Sequence, residues 1–434
     1  MTARKIKVNG GFLILFVILF VIPVLSVVLS SCNPGQEEVE VLPGESFDRI
    51  YDKPDTTNYL AMDIKRTGDN HYIMLGINEG VPYLLKVNRN GDYVWDMRVE
   101  EQLIGMTWFV APATEILKVG NTYYVFCLEA SETIVKPALL KVEDMGEVYG
   151  PVETVSLEDT VLDRNFIYPM DAVATDDCCL LVLTVNAFTA QGILLKINPA
   201  EADRKILWEK KLDSYHPFCG NAYPFMDRRY HFIRPRESTG NNPDYYFQSY
   251  STEDQFSNPG APCFSIRMID SLDNGNVSGI YKMINPLIAM IWKDDTAFGA
   301  FIENEAVSLF TNKEILDMGH ISGGEFQAEL KIDEKICINI MDVDGQSIVF
   351  FAGSTKNNRI VLYLYDRSTG GYINKAYFGH THIYEAADLI STGDNGMAIL
   401  GTTFVAGRQG RFCLIKLSQQ ELRELANFSS PSAR

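Results

Sequence analysis

One stretch in the middle of the chain, residues 215–262, concentrates side chains that could bind a ligand. Aromatic rings stack on sugar rings, and arginines bind anionic groups through paired hydrogen bonds, so these residue types are typical of binding surfaces. The sequence predicts a contact surface for a glycan or an extracellular protein, carried by Tyr215, His216, Arg228, Arg229, Tyr230, His231 and Arg234. Trp108 and Trp292 are candidates of the same kind. The alternative is that the aromatic rings pack this segment onto its own sheet.

Patterns for metal binding and catalysis are weak. His380 and His382 would lie on one face of a strand, but the spacing offers no third ligand, and a zinc site needs three or four. Residues 342–345, Asp-Val-Asp-Gly, are similar to the start of a calcium loop, although an Asp-Gly hairpin turn explains them better. The sequence contains no G-x-S-x-G, no H-E-x-x-H and no glycine-rich phosphate loop, so it predicts no catalytic residue, no metal and no cofactor.

The cysteines divide into two groups by their surroundings. Three lie within apolar runs and are expected to be core residues, namely Cys127, Cys337 and Cys413. Cys219 and Cys263 flank the irregular middle segment and are the best candidates for a disulfide. The adjacent Cys178 and Cys179 could form a vicinal bridge, but two buried thiols are the preferred interpretation.

The elements that must position these residues follow from an internal repeat. Residues 61–95 recur as residues 386–418, with Asp63 matching Asp388 and the Thr-Gly-Asp-Asn turns at 67 and 392 matching each other. Within residues 61–99, four short apolar runs are separated by Gly-Asp-Asn, Glu-Gly and Asn-Gly-Asp turn signals, which is typical of four antiparallel strands. Four such strands make one blade of a propeller.

Further copies of the unit follow along the whole chain at a period of about 50 residues, near the kelch length. The sequence therefore predicts an all-β, seven-bladed β-propeller of four-stranded antiparallel blades. The last unit lacks its fourth strand and continues instead into QQELRELAN, which has helical spacing. Residues 46–53 precede the first unit, and we expect them to supply the missing strand and close the ring.

The charge of the chain excludes one class of partner. Lys and Arg total 38 against 56 Asp and Glu, a formal net charge of -18. So acidic a surface repels phosphate backbones, and nucleic acid is not an expected partner.

The amino terminus has the order of a secretory signal. Arg4, Lys5 and Lys7 precede an apolar run at residues 12–29, and Leu-Ser-Ser-Cys follows at residues 29–32. This resembles a bacterial lipobox, which implies diacylglycerol on Cys32 and a further acyl chain, such as palmitate, on its amine. An uncleaved anchor helix is the alternative. The predicted organisation is a signal peptide at 1–31, an acidic tether at 32–45, the propeller at 46–420 and a tail at 421–434.

Two elements, LLKVNRNGDYVW at residues 84–95 and ILLKINPAEADRKILW at 193–208, resemble bacterial outer-membrane propeller lipoproteins with quinoprotein-like repeats. The resemblance implies a lipid-anchored outer-membrane binding or scaffold module, on the cell surface or the periplasmic face. Only Trp95 and Trp208 occupy the tryptophan position, so a quinone cofactor is not expected. A scaffold for outer-membrane assembly and a propeller hydrolase or lyase are the alternatives.

Overall fold

The structure is a computed structural model that describes most of the chain between residues 44 and 427. The described part has gaps at 54, 100–107, 111, 131–134, 158–166, 187–191, 201–205, 213–231, 237–243, 251–263, 271–276, 284–286, 295, 315–323 and 406–408.

The strands form seven antiparallel sheets, which we number as blades 1 to 7 in chain order. Strand β1 (Phe47–Tyr51) comes first in the chain and belongs to blade 7. Blade 1 contains β2 (Tyr59–Arg66), β3 (Tyr72–Asn78), β4 (Val81–Val87) and β5 (Tyr93–Arg98). Blade 2 contains β6 (Trp108–Val110), β7 (Leu117–Val119), β8 (Thr122–Ala130), β9 (Val135–Glu143) and β10 (Glu153–Ser156). Blade 3 contains β11 (Ile167–Ala174), β12 (Leu180–Asn186), β13 (Gly192–Ile197) and β14 (Ile206–Lys211). Blade 4 contains β15 (Phe232–Pro235), β16 (Asp244–Tyr250), β17 (Phe264–Asp270) and β18 (Val277–Met283). Blade 5 contains β19 (Leu287–Lys293), β20 (Thr296–Glu303), β21 (Ala306–Glu314) and β22 (Glu325–Gln327). Blade 6 contains β23 (Ile336–Val343), β24 (Gln346–Ser354), β25 (Ile360–Asp366) and β26 (Tyr372–Phe378). Blade 7 contains β27 (Ile383–Ser391), β28 (Met397–Val405) and β29 (Gln409–Leu417).

The predicted seven-bladed propeller is confirmed. The first strand of each blade is innermost, and we call the space that these seven inner strands enclose the central channel. In blade 2 the inner strand is interrupted, because β6 and β7 both pair with β8. Apolar clusters lie between neighbouring blades, so the core is a ring of interfaces rather than one mass.

The predicted closure of the ring is also confirmed. Strand β1 pairs antiparallel with β29, from Phe47 opposite Lys416 to Tyr51 opposite Phe412. It is the fourth, outer strand of blade 7, so the two ends of the described chain share one sheet. The predicted helix follows as α1 (Gln419–Asn427), which buries Leu422 and Ala426. Within the part of the chain described, no helix combines the length and apolar character needed to cross a bilayer.

The repeated Thr-x-Asp turn is a hydrogen-bonded unit joined to a buried lysine. In blade 1 the Thr67 hydroxyl donates to Asp69, and the backbone amide of His71 donates to the Thr67 oxygen at 2.9 Å. Lys86, wholly buried on β4, donates to the second Asp69 oxygen at 3.0 Å. The same set recurs in blades 3 and 7, with Thr175, Asp177 and Lys196, and with Thr392, Asp394 and Lys416. Because burying a lone ammonium is costly, each lysine needs its aspartate.

A bulge on the inner strand explains the repeated Leu-Gly of the second strand. A side chain on Gly76 would place its Cβ 2.2 Å from the Leu60 carbonyl oxygen, and on Gly401 it would lie 2.6 Å from the Glu385 carbonyl oxygen. Only glycine permits this approach. The inner-strand register shifts directly after it, before Asp63 and Asp388.

Candidate functional site

Most of the predicted contact surface cannot be placed. Tyr215, His216, Arg228, Arg229, Tyr230, His231, Cys219, Cys263 and the lipidation residue Cys32 all lie outside the described residues. Trp108 is described only as part of the backbone of β6, where it pairs with Ala130. These predictions therefore stay predictions.

The two remaining predicted residues lie inside the ring. Trp292 is 3% exposed and packs against Tyr246, with ring centroids 5.7 Å apart. Arg236 lies over the indole ring at 4.7 Å, and the indole nitrogen donates to the Asp294 carbonyl. Trp292 is thus a core residue between blades 4 and 5. Arg234, by contrast, points into the central channel, where it pairs with carboxylates.

The cysteine predictions are partly met. Cys127, Cys337 and Cys413 are buried free thiols, as expected. Burial raises the pKa of the Cys337 thiol to about 12, so it is inert at neutral pH. The interpretation of Cys178 and Cys179 as two thiols is wrong for Cys178, which is disulfide-bonded, whereas Cys179 is a buried thiol.

The histidines and the acidic loop hold no candidate metal centre. His380 and His382 lie in the turn before β27 rather than on a strand, because β27 begins at Ile383. Asp344 and Gly345 have positive φ angles of 51° and 82° and form the hairpin turn between β23 and β24. In the described part of the chain, no three His, Cys, Asp or Glu side chains are grouped to hold a metal ion.

A layer of charged side chains crosses the central channel. Its members come from six blades, and we call them the charged layer: Asp63, Lys65, Glu115, Asp171, Arg234, Lys335 and Asp388. Lys65 bridges Asp63 and Glu115 with nitrogen to oxygen distances of 2.8 and 2.6 Å. Glu115 also pairs with Arg234 at 2.7 Å, and Arg234 reaches Asp171 at 2.5 Å. An alternating chain of charges thus links blades 1 to 4.

The carboxylates of the layer also join neighbouring blades. Asp63 accepts a hydrogen bond from the Ile116 amide of blade 2 at 2.6 Å. Asp171 accepts one from the Ile233 amide of blade 4 at 3.0 Å, and Asp388 accepts one from the Ile64 amide of blade 1 at 3.3 Å. The bulge before Asp63, Asp171 and Asp388 sets each carboxylate toward the next blade. These three residues therefore have a structural role in addition to any role toward a ligand.

Burial and neighbouring charges set the protonation of the layer. Burial raises the pKa of Asp63 well above its usual range, and the nearby Glu115 raises it further. A hydrogen bond to Asp388 raises the pKa of Asp63 as well. Burial opposes ionisation of Glu115 too, but Arg234, Lys65 and Lys335 together lower its pKa to about 2. Glu115 is therefore ionised at neutral pH, whereas its surroundings favour the protonated form of Asp63.

Two cavities adjoin the charged layer. The larger has a volume of about 370 Å³, and all seven inner strands contribute to its wall. The smaller, of about 80 Å³, is lined by Lys335 and Cys337 among others. Glu115, Arg234 and Asp388 line both cavities. The larger cavity extends along the inner strands to Lys118 and Ile390.

One signal for the charged layer was present in the sequence. Asp63 and Asp388 occupy corresponding positions in the two copies of the repeat. Asp171 occupies the same position in blade 3, directly before the apolar end of the inner strand. Glu115 follows Thr114 at the corresponding place in blade 2. Lys65, Arg234 and Lys335 are not among the repeated residues that were recognised in the sequence, so the repeat did not point to them.

Comparisons with known proteins add only the general likeness of the fold. No family model matches the chain, and no curated protein matches it. Among solved structures, a mutant of Trypanosoma rangeli sialidase that displays trans-sialidase activity is 9% identical, with a TM-score of 0.46 over 89% of this chain and 60% of that one. A prolyl endopeptidase is 9% identical, with a TM-score of 0.42 over 84% of this chain and 48% of that one. The Dos1 propeller is 10% identical, with a TM-score of 0.42 over 88% of both chains. The chain thus spans less than two thirds of the first two proteins, and at these scores none of the three carries an argument about function.

Proposed function

We propose that this chain is a lipid-anchored β-propeller of the cell envelope that acts as a binding module, and that its ligand occupies the larger cavity of the central channel. One observation carries the proposal. A cavity of about 370 Å³ lies at the centre of the ring, walled by aliphatic side chains and bounded at one end by the charged layer.

The form of this cavity is that of a ligand site. Ligand sites in proteins are concave, mostly apolar and about 300–1,000 Å³ in volume, with a few convergent polar groups that orient the ligand. Here Val173, Ile291 and Ile338 supply apolar wall, and Lys65 and Arg234 of the charged layer supply polar groups. Their ion pairs hold these side chains in place before any ligand arrives, which reduces the entropic cost of binding.

The membrane anchor rests on the sequence. Cys32 ends a segment with the order of a lipoprotein signal, and the acidic residues behind it form a tether. Incorporation of a palmitate analogue into the full chain, lost in Cys32→Ala, tests the anchor. Protease treatment of intact cells then distinguishes a surface location from a periplasmic one, where a scaffold role in outer-membrane assembly would apply.

A blocked channel tests the binding module. Ile291 faces the cavity from β19, so Ile291→Trp is expected to fill part of it. Thermal-shift screening of a small-molecule library should find ligands that stabilise the unsubstituted protein but not this variant. Ile50→Trp is the matched control, since Ile50 is 37% exposed on the outermost strand of blade 7. If every stabilising ligand also stabilises Ile291→Trp, the channel is not the binding site.

A further inference from the structure

The described chain enters the ring on one of its two faces. The Gly44 amide donates to the Asp394 carboxylate at 2.8 Å, and Asp394 lies in the turn between the first and second strands of blade 7. Gly393 of that turn lies directly against the Asn70 side chain, in the corresponding turn of blade 1. We call the face that these turns form the tether face, because the predicted tether, residues 32–45, joins the ring there.

One turn on the tether face has an apolar tip. The strands of a blade are antiparallel, so the turn between the third and fourth strands lies on the same face as the turn between the first and second. In blade 2 these two turns touch, since the Asp144 amide donates to the Asn121 carbonyl at 3.2 Å. The tip of the third-to-fourth turn, residues 145–148, carries Met145 and Val148, which are 63% and 58% exposed. Turns favour glycine, asparagine and aspartate instead, so we call residues 145–148 the apolar turn.

A buried lysine fixes the apolar turn in place. Lys86 of blade 1 donates to both Asp144 carboxylate oxygens, at 2.8 and 2.9 Å, and to the Gly146 carbonyl at 3.0 Å. Within the turn, the Met145 amide donates to the Val148 carbonyl at 3.1 Å. The two apolar side chains therefore project from a braced backbone.

A third exposed apolar side chain lies on the neighbouring blade. Scattered apolar side chains are ordinary on protein surfaces, so their position decides what they mean. Tyr93, 59% exposed, is the first residue of β5 and pairs with Val87, the last residue of β4, at the tether face. Tyr149, directly after the apolar turn, packs against Trp95 of the same strand β5 with ring centroids 5.3 Å apart. The exposed apolar side chains of blades 1 and 2 thus lie together where the tether arrives.

The length of the tether decides which face can meet a bilayer. The twelve residues 33–44 span at most roughly 40 Å from Cys32 when fully extended. The longest strands have nine residues, so the ring is about 30 Å thick. A chain that joins the tether face could place the opposite face on a bilayer only by spending most of its reach along the side of the ring.

We propose that the tether face lies on the lipid bilayer and that Met145 and Val148 of the apolar turn enter its interfacial layer, with Tyr93 at the level of the headgroups. This inference rests on the lipid anchor of the proposed function. The acyl chains supply the affinity, and the apolar turn sets the orientation of the ring. The contact is apolar rather than electrostatic, because the chain has a formal net charge of -18 and anionic lipids would repel it.

Methyl NMR of the lipidated full chain in phosphatidylcholine nanodiscs, with a nitroxide on the headgroups of some lipids, tests the inference. The nitroxide is expected to broaden the methyl resonances of Met145 and Val148 several-fold more than those of Leu60 and Ile332. The latter two are matched controls, since each is 37% exposed and lies at the opposite face. Leu60 is near the start of β2, and Ile332 lies between β22 and β23.

A substitution in the apolar turn tests insertion itself. Met145→Gln is expected to reduce the broadening at Val148 by about twofold or more, because membrane contact weakens as buried apolar area is removed. Leu60→Gln, the matched control variant at the opposite face, should leave the broadening at Val148 unchanged.

The outcomes separate this inference from the proposed anchor. If Leu60 and Ile332 are broadened as strongly as Met145 and Val148, or if none of the four is broadened, the assigned orientation is wrong, and the anchor at Cys32 can still stand. If Met145→Gln leaves the broadening at Val148 unchanged, the insertion of the apolar turn is wrong. If Cys32 incorporates no palmitate analogue, the anchor fails and this inference fails with it.

Discussion

Arg411 joins the last strand of blade 7 to the segment that follows β1, and replacing it gives a quantitative test of ring closure. It is 2% exposed on β29, where it holds the segment that follows β1. Its guanidinium donates to Asp52 at 2.6 Å and to several backbone oxygens, namely those of Thr57, Gly410, Asp55 and Lys53. Arg411→Met keeps the apolar stem and removes all of these hydrogen bonds.

The expected cost follows from what the substitution leaves behind. The Asp52 side chain is 63% exposed, so water can solvate its carboxylate once the arginine is gone. The loss therefore comes mainly from the backbone carbonyls at about 1 kcal/mol each, with a somewhat larger share for the charged pair, about 3–5 kcal/mol in all. At about 2.1 cal/mol/K per residue, a ring of roughly 380 residues unfolds with an entropy near 0.8 kcal/mol/K, so the melting temperature should fall by about 4–6 °C.

Scanning calorimetry measures this shift, with Arg423→Met as the matched control. Arg423 pairs with Asp344 at 2.6 Å, but both side chains are close to half exposed, at 43% and 48%. Such a pair contributes at most about 1 kcal/mol, so the control should lose about 1 °C or less. Equal shifts for the two variants would refute the reasoning that Arg411 closes the ring.

Three further results are expected. Gly401→Ala should destabilise the protein by about 1–3 kcal/mol in urea unfolding, because the new Cβ would lie 2.6 Å from the Glu385 carbonyl oxygen; an unchanged midpoint would contradict the need for glycine at the bulge. Lys416→Met should cost about 3–5 kcal/mol because it leaves Asp394 buried without its cation, and adding Asp394→Asn should recover part of that loss; a further loss in the double variant would contradict this pairing. The pKa of Glu115 falls from 4.5 to about 2 on folding, so its ionised form stabilises the protein above about pH 4.5 by an amount that is lost as the pH falls toward 2. Glu115→Gln should therefore be less stable by about 3 kcal/mol at pH 7 and by much less near pH 3, and a difference that does not depend on pH would contradict the assigned ion pairs.

The fold could be predicted because its information is local. Each blade repeats apolar strands with turn residues between them, and the Thr67 to Asn70 turn is stabilised by contacts within four residues. Closure of the ring was predictable for a similar reason. The last repeat unit lacks its fourth strand in the sequence, and residues 46–53 belong to none of the seven units. Lys86, by contrast, is an ordinary charged residue in the sequence, and its burial becomes evident only when Asp69 and Asp144 lie beside it.

The channel could not be predicted because its parts are far apart in the chain. Lys65, Glu115 and Arg234 come from three blades and meet only when the ring forms. The concentration of aromatic and arginine residues at 215–262 instead predicted a binding surface on that segment. Of that set, Arg234 is the member that the structure places in the channel.

The claim that a ligand occupies the central channel is tested most directly by methyl NMR of the protein labelled at isoleucine, leucine and valine methyl groups. On addition of a ligand that the thermal-shift screen identifies, the account predicts chemical-shift changes at the methyl groups of Ile291, Ile338 and Ile390, which line the larger cavity. It predicts no change at Ile50, which lies on the outermost strand of blade 7. Shift changes confined to methyl groups outside the channel, or no change at a saturating concentration, would contradict it.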